Sequence, residues 1–401
     1  MIDNRTLWAV SISGSIRSIG FGATWPFMAI FFNEDLGVPI IVVGLIFTFS
    51  AISSVIFSIL GGWIADKFGR RRALMIGGIT GVVIYSLISA FIAFHFSLLA
   101  IEIAFVLSSV SGSFIFPSST ALVADVTSVA ERPIAYGIYR ILTNIGWAVG
   151  PIMGAYVYNL GVAKIFAIVA AVSLIQFIII VLFIFDRKTY DNPLKHRVSL
   201  ITLDRYLILF SLGTFFIMVV ATQFSVTLPT YAADHVGIPV SDIGYVFAVN
   251  GFVVVLGQYF LSVLFRKFPD IGTMIVGSFF YTVGYLLVGY SGTLLQLMLD
   301  MVIITIGEDL VYPTLNTIIS KIAPPEKVGR YMGFNSMMNS SARALGPSVG
   351  TVFLSIYAFD GPRVWGSIDL FGVTSIIIFL FFGRTIRKMP TRDPTSQAER
   401  V

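Results

Sequence analysis

Long apolar runs separated by short polar loops repeat from one end of the chain to the other. Twelve of them reach spanning length: 6–32, 40–60, 73–94, 97–124, 134–158, 163–185, 206–231, 241–264, 271–290, 293–320, 331–357 and 364–383. At about 1.5 Å of rise per residue, each crosses roughly 30 Å of hydrocarbon as a helix. The pattern predicts an all-α polytopic membrane protein with twelve transmembrane helices. The run from Leu7 to Phe32 is too long for a cleavable leader and lacks a small-residue cleavage pattern, so it reads as the first span.

Composition removes the rival classes. A chain that is 56% hydrophobic and only 12% charged has too little polar surface for a soluble globule. With no cysteine it has neither disulfides nor thiolate metal sites. His95, His196 and His235 fall in loops without a metal-ligand partner at useful spacing, and no nucleotide-binding motif or nucleophile and base constellation is visible. The expectation is therefore a protein without metal or cofactor, and not an enzyme. The net charge of +5 is a matter of topology rather than of nucleic-acid binding. Of the 26 Lys and Arg residues, only Lys164 and Arg363 fall in loops on one side. Arg17, Arg140 and Arg343 lie inside spans, and the rest gather on the other side. The positive-inside rule then places both termini in the cytoplasm of a cell-membrane protein.

The longest polar stretch, 186–205, divides the chain near its middle into 1–185 and 206–385, with a tail over 386–401. A shift of 196 residues superimposes the two parts at several points. Pro117 falls on Pro313, Gly137 on Gly333, Arg70-Arg71 on Arg266-Lys267, and Gly150-Pro151-x-x-Gly154 on Gly346-Pro347-x-x-Gly350. One offset serving several spans predicts two pseudo-symmetric six-helix bundles joined by a linker. The second copy has Ser262 and Gln258 where Asp66 and Gly62 would map, so whatever Asp66 does is done once.

The loop Gly61 to Arg72 is dense in charge and glycine. Its Gly62, Asp66, Lys67, Gly69, Arg70 and Arg71 form the pattern G-x-x-x-D-K-x-G-R-R. This resembles the signature loop between helices 2 and 3 of the major facilitator superfamily of secondary transporters. The resemblance implies duplicated bundles with a central substrate site near the bilayer midplane. It also implies a cytoplasmic latch in which Asp66, the arginines and the Asp125 region hold the outward-facing state together. Surface pairs of this kind contribute about 1 kcal/mol or less each, so such a latch biases an equilibrium rather than locking it.

In the fifth span, Gly146, Gly150 and Gly154 make a small-residue stripe, and Pro151 removes a backbone hydrogen bond. The string resembles the G-x-x-x-G-P-x-x-G-G motif of drug/proton antiporters in the superfamily, departing at Ala155. In those families the stripe is thought to seal or hinge the halves. The antiporters also carry an arginine in an R-x-x-x-G context on the fourth span, but residues 104–112 contain no basic residue here. Arg17 or Arg140 is the candidate to replace it.

The tenth span carries Asp300, Glu308 and Asp309, and the eleventh begins Gly329-Arg330-Tyr331-Met332-Gly333-Phe334. The pair G-E-x-x-x-x-P and G-R-Y-M-G-F is similar to small multidrug efflux members of the superfamily, whose membrane-embedded glutamate handles protons and cations. A carboxylate in lipid is costly and needs a partner or a task. Glu308 is the first candidate for proton coupling. Asp309 and Asp300 are the further candidates. Asp300, two turns away, is expected to share the cavity-facing side and Asp309 to face a neighbouring helix. The alternative is that Glu308 or Asp309 pairs with Arg343 or Arg17 to hold the halves together. Further cavity candidates are Arg17, Trp25, Tyr139, Arg140, Asn144, Trp147, Gln223, Asn250, Asn335, Asn339 and Arg343, with the aromatic side chains suited to loosely specified apolar substrates.

The function these features predict is proton-coupled export of hydrophobic or cationic small molecules by alternating access, as a monomer in the lipid bilayer. The alternative is symport or exchange of a small organic anion, which cavity arginines without carboxylate partners would favour.

Overall fold

The computed structural model describes residues 5–128, 131–185, 204–324 and 327–386. Of the expected linker 186–205 only Asp204 and Arg205 are described, and of the tail 386–401 only Ile386. The remainder of both lies outside the described residues.

The order is α1 (Arg5–Ile30), a π-turn over Phe31–Asp35, α2 (Ile40–Phe68), α3 (Arg70–Ala93), α4 (Leu98–Asp125), α5 (Arg132–Tyr158), α6 (Val162–Phe183), α7 (Arg205–Ala221), α8 (Thr227–Asp234), α9 (Val240–Leu264), α10 (Asp270–Val288), α11 (Leu294–Ile322), α12 (Val328–Ile356) and α13 (Gly361–Ile386). α7 and α8 are two pieces of one span, separated by a 3-10 turn over Thr222–Phe224. Among the described residues twelve spans result, as the apolar runs predict. Eight are long and apolar enough to cross a membrane. The other four, α1, α5, α11 and α12, have the length but are either less apolar or interrupted by charge. They are the helices that carry Arg17, Arg140, Arg343 and the carboxylates Asp300, Glu308 and Asp309. Arg17, Arg140, Glu308 and Arg343 thus lie on helices that pack on both bundles or line the space between them, whereas Asp369 is carried by the more apolar α13.

Local chemistry sets the breaks. Gly69 takes φ +107°, a conformation that strains any residue with a Cβ, and lets α2 reverse directly into α3. Pro39, Pro239 and Pro269 stand extended just before α2, α9 and α10, where a missing N–H costs no helical hydrogen bond. The interruption after α7 frees backbone carbonyls, and the fully buried Gln223 answers them. Its Nε2 donates to the Val219 and Gly346 carbonyls at 2.7 and 3.0 Å, and its Oε1 accepts from the Thr227 hydroxyl at 2.5 Å. Gln223 therefore holds the break together and is not a wall of the cavity, contrary to the expectation from sequence.

Within the first bundle α5 lies against α1 at backbone distance. A Cβ added at Gly146, Gly150 or Gly154 would strike the carbonyls of Ser15, Ile19 and Ala23 in turn. The second bundle repeats the arrangement: Gly346 of α12 packs on Thr222, and Gly350 on Gln223 and Thr227. The glycine stripe thus joins two helices of the same bundle. The other face of α5 meets the second bundle, where a Cβ added at Gly251 would come within 2.6 Å of the Ala148 Cβ, and one at Gly244 within 2.6 Å of the Ala155 Cβ and against the Pro151 carbonyl. In the matching seam, Gly44 of α2 packs on Ser348 and Thr351 of α12, and the Thr48 hydroxyl donates to the Ala344 carbonyl at 2.6 Å.

Because the obstacle at Gly154 is backbone, no rotamer change relieves it. Gly154→Leu should destabilise the fold by about 1–3 kcal/mol or more through overpacking. Gly62→Ala, whose Cβ meets nothing within 4 Å, should be nearly silent. Thermal unfolding in detergent compares the two, and equal shifts would contradict the packing described.

Candidate functional site

Both seams close at one end of the molecule, where α1 hands over to α2 and α8 to α9. This is called the far end, and the opposite one, with Asp66 to Arg72, the basic end. At the far end Thr48 bonds across to α12, Thr48 and Ser348 hydroxyls lie 2.7 Å apart, and Asn33 Nδ2 donates to Asp234 Oδ2 at 3.0 Å. Towards the basic end, a Cβ at Gly62, Gly137 or Gly333 would meet nothing within 4 Å. The halves touch at one end and part at the other, leaving a cavity of about 560 Å³ between them.

One wall is polar and small. Ser50, Ser54 and Ser58 recur at helical spacing along α2, facing Ser109, Gly112 and Ser113 of α4. Arg17 of α1 reaches this wall. Its guanidinium lies over the Phe21 ring at 5.8 Å and against Gly112, where a Cβ would collide with it. A helix without its own arginine therefore presents one at its surface, borrowed from α1. The far end of the cavity is aromatic: Phe21 stacks on Trp25 at 4.9 Å and lies 5.6 Å from Trp147, which lies 6.1 Å from Phe224 of the other half.

The opposite wall carries the carboxyl. Glu308 of α11 lines the cavity, and its Oε2 accepts from Asn250 Nδ2 at 2.9 Å. Asn250 also donates to Thr305 Oγ1 at 3.0 Å, and Thr305 to the Met301 carbonyl at 2.7 Å, so the amide is fixed by two anchors. Arg343 lines the same wall beside Tyr312. Among the described residues neither Glu308 nor Arg17 makes an ion pair. Arg140 and Arg343 lie within electrostatic reach of Glu308.

Several sequence candidates stand elsewhere. Asp300 does not share the cavity face. It is 6% exposed and its Oδ2 accepts from Ser291 at 2.5 Å. The eight residues between Asp300 and Glu308 advance about 80° beyond two full turns, enough to aim Asp300 at the end of α10. Asp309 is 3% exposed, has no hydrogen-bond partner on either oxygen, and lies 3.3 Å from where a Cβ on Gly257 of α9 would be. It faces a neighbouring helix without pairing to Arg17 or Arg343. Tyr139 packs behind the wall on Gly14, and Asn335 accepts from the Thr214 hydroxyl at 2.9 Å. Asn144, Asn339 and Arg140 are not among the residues that line the cavity. The sequence reading missed the serine wall, although Ser50, Ser54 and Ser58 at i, i+4 and i+8 were a legible signal. It also missed Asp369 of α13, buried with both oxygens unpartnered.

At the basic end Arg70 pairs with Asp66 and donates through Nε to Asp125 Oδ2 at 3.2 Å, tying α2, α3 and α4. Arg71 donates to the Val181 carbonyl of α6 at 2.8 Å, and Lys67 lies over the Trp63 ring at 4.7 Å. These bonds all stay inside the first bundle.

Residues 10–347 match the sequence profile of the Major Facilitator Superfamily. The chain is similar to an uncharacterized MFS-type transporter, YttB, of Bacillus subtilis (28% identical, over 88% of this chain and 89% of the relative). It is also similar to the quinolone resistance protein NorA of Staphylococcus aureus (23%, over 94% and 96%). Among solved structures, the POT family transporter PepTSo superposes with a TM-score of 0.79 over 96% of this chain and 99% of that one, at 14% identity. The nucleoside transporter NupG superposes at 0.76 over 95% of each, at 15% identity.

Proposed function

The chain belongs to the major facilitator superfamily of membrane transporters, and from that premise we propose that it is a proton-coupled exporter of hydrophobic or cationic small molecules. It is a transport protein rather than an enzyme. The observation that carries the finer reading is Glu308: a carboxyl on the wall of an aromatic cavity, held by Asn250 and without an ion pair among the described residues. Ionised, it attracts a cationic substrate; protonated, it does not. The likeness to NorA supports an efflux role. In this reading the basic end faces the cytoplasm, following the positive-inside rule, and the closed far end faces outward. The state described is then inward-open, ready to load substrate from the cytoplasm or the inner leaflet. Alternating access follows when the far-end seams open and the basic end closes.

A second reading rests on Arg17, a cavity cation with a serine-rich wall beside it, which suits a small organic anion. Proteoliposomes decide between the two. Export predicts that a cationic dye moves against its gradient when a pH gradient is imposed, and that Arg17→Ala keeps this activity within a few-fold. Uptake of organic anions, lost in Arg17→Ala, with dye indifferent to the gradient, would overturn export in favour of the anion reading.

A further inference from the structure

At the far end each half contributes one segment to the seam, Asn33 to Pro39 and Ala233 to Pro239, and the two are copies. A spacing of 200 residues places Glu34 on Asp234, Gly37 on Gly237 and Pro39 on Pro239. The backbones repeat as well. Gly37 and Gly237 take φ +65° and +73°. The Val38 and Ile238 amides donate to the carbonyls of Phe32 and Ala232 at 2.8 and 3.0 Å, and the Val42 and Asp242 amides each donate to a proline carbonyl at 2.8 Å. Duplication has brought two acidic side chains to equivalent positions on opposite sides of the far-end seam. There the Glu34 and Asp234 carboxyls face one another, beside the bond from Asn33 to Asp234 at 3.0 Å.

Two carboxyl groups brought this close favour holding one proton between them over carrying two negative charges. The surrounding groups supply no substitute charge. Asp35 lies beside Glu34 on its own segment and accepts from the Tyr158 hydroxyl of α5 at 2.6 Å. Asp234 faces Glu34 from α8, and His235 is stacked on Tyr231 at 5.0 Å. Among the described residues no cation acts on Glu34. Partial desolvation at the seam, then the neighbouring Asp234 and Asp35 carboxylates, push the carboxyl of Glu34, itself still exposed, from the ordinary 4.5 up to about 8.

We propose that Glu34 and Asp234 form a proton-held clasp between the halves, which the outer medium fastens by protonating the pair and releases by removing the proton. The clasp rests on the orientation given above, but on neither the substrate nor Glu308. Its sign follows from linkage. The closed state raises the affinity of Glu34 for a proton, so its contribution to closure is complete below the ordinary carboxyl range and lost as pH rises towards about 8. An acidic exterior therefore favours the return to the inward-open state, the step by which an antiporter completes its cycle.

The chain has no cysteine, so labels can be placed cleanly. Leu160→Cys and Tyr290→Cys put one label on each half at the far end, at positions 54% and 67% exposed. Spin-label distances measured on the full chain in lipid nanodiscs should show a closed population whose ratio to the open one falls by up to tenfold per pH unit between about pH 5 and 8. Glu34→Gln and Asp234→Asn, whose amides still donate across the seam, should flatten that response with the closed form retained. Glu34→Lys should stay closed at every pH through an ion pair with Asp234, and Glu308→Gln should keep the wild-type response. A wild-type ratio that does not move with pH, or a response undiminished in both Glu34→Gln and Asp234→Asn, overturns the clasp whether or not the export reading stands.

Discussion

Glu308→Gln should sharply reduce proton-driven accumulation while leaving the protein folded and able to equilibrate substrate downhill. Glutamine preserves the volume and keeps an oxygen to accept from Asn250, whose bond at 2.9 Å fixes the side chain on the cavity wall. What it removes is the ability to exchange a proton for a cation. Coupling between two ligands is typically about 1–3 kcal/mol, so uphill transport of a cationic dye should fall by roughly 5- to 150-fold. Downhill flux of an uncharged substrate should change little, because the seams that rock are elsewhere. Flux assays with and without a pH gradient in the same proteoliposomes separate these terms. A proportional loss of both fluxes would make Glu308 a structural residue.

Wedging the far-end seams should drive the protein out of the inward-open state. Gly44 packs on Thr351, and Gly251 lies where a Cβ would come within 2.6 Å of the Ala148 Cβ. Each belongs to a different seam, so Gly44→Leu and Gly251→Leu act at independent places. Overpacking costs about 1–3 kcal/mol at each site, which falls on the closed far end alone and is relieved when the halves separate there. The double variant should therefore shift the ratio of states by more than tenfold towards far-end open. The same pair of labels that reports on the clasp reads the shift, and a long-distance population that grows in the order wild type, single and double variant is the expected series. Loss of folding without a change in distances would show that these glycines support bundle assembly instead.

The architecture was legible because the bilayer leaves so few options. Apolar runs of one length, an arginine and lysine bias between loops, and a constant offset between halves all report on the same constraint, the absence of water in the membrane core. Single side chains were less legible. Gln223, a polar amide inside a span, looks identical in sequence whether it binds ligand or repairs a broken helix, and only the break after Ala221 shows which. Asp300 and Glu308 seemed to share a face because eight residues approximate two turns, but the remaining rotation is enough to hide one carboxyl. Arg17 is the sequence's candidate to stand in for a missing arginine, but its placement against Gly112 depends on an α1–α4 contact that no local pattern encodes. Conversely, Asp66, Arg70 and Asp125 are found together, yet on one bundle. Spacing conveys which groups meet more readily than which moving bodies they connect.

The central claim is that substrate and proton compete for the Glu308 carboxyl. The most direct test is proton release on binding, followed with a pH indicator in weakly buffered solution as a cationic substrate is titrated into the purified protein. Release that rises with occupancy in the wild type and disappears in Glu308→Gln, with binding of the cation correspondingly weakened, is the predicted result. Tight binding of the cation with no proton released, or with equal release from Glu308→Gln, would contradict it.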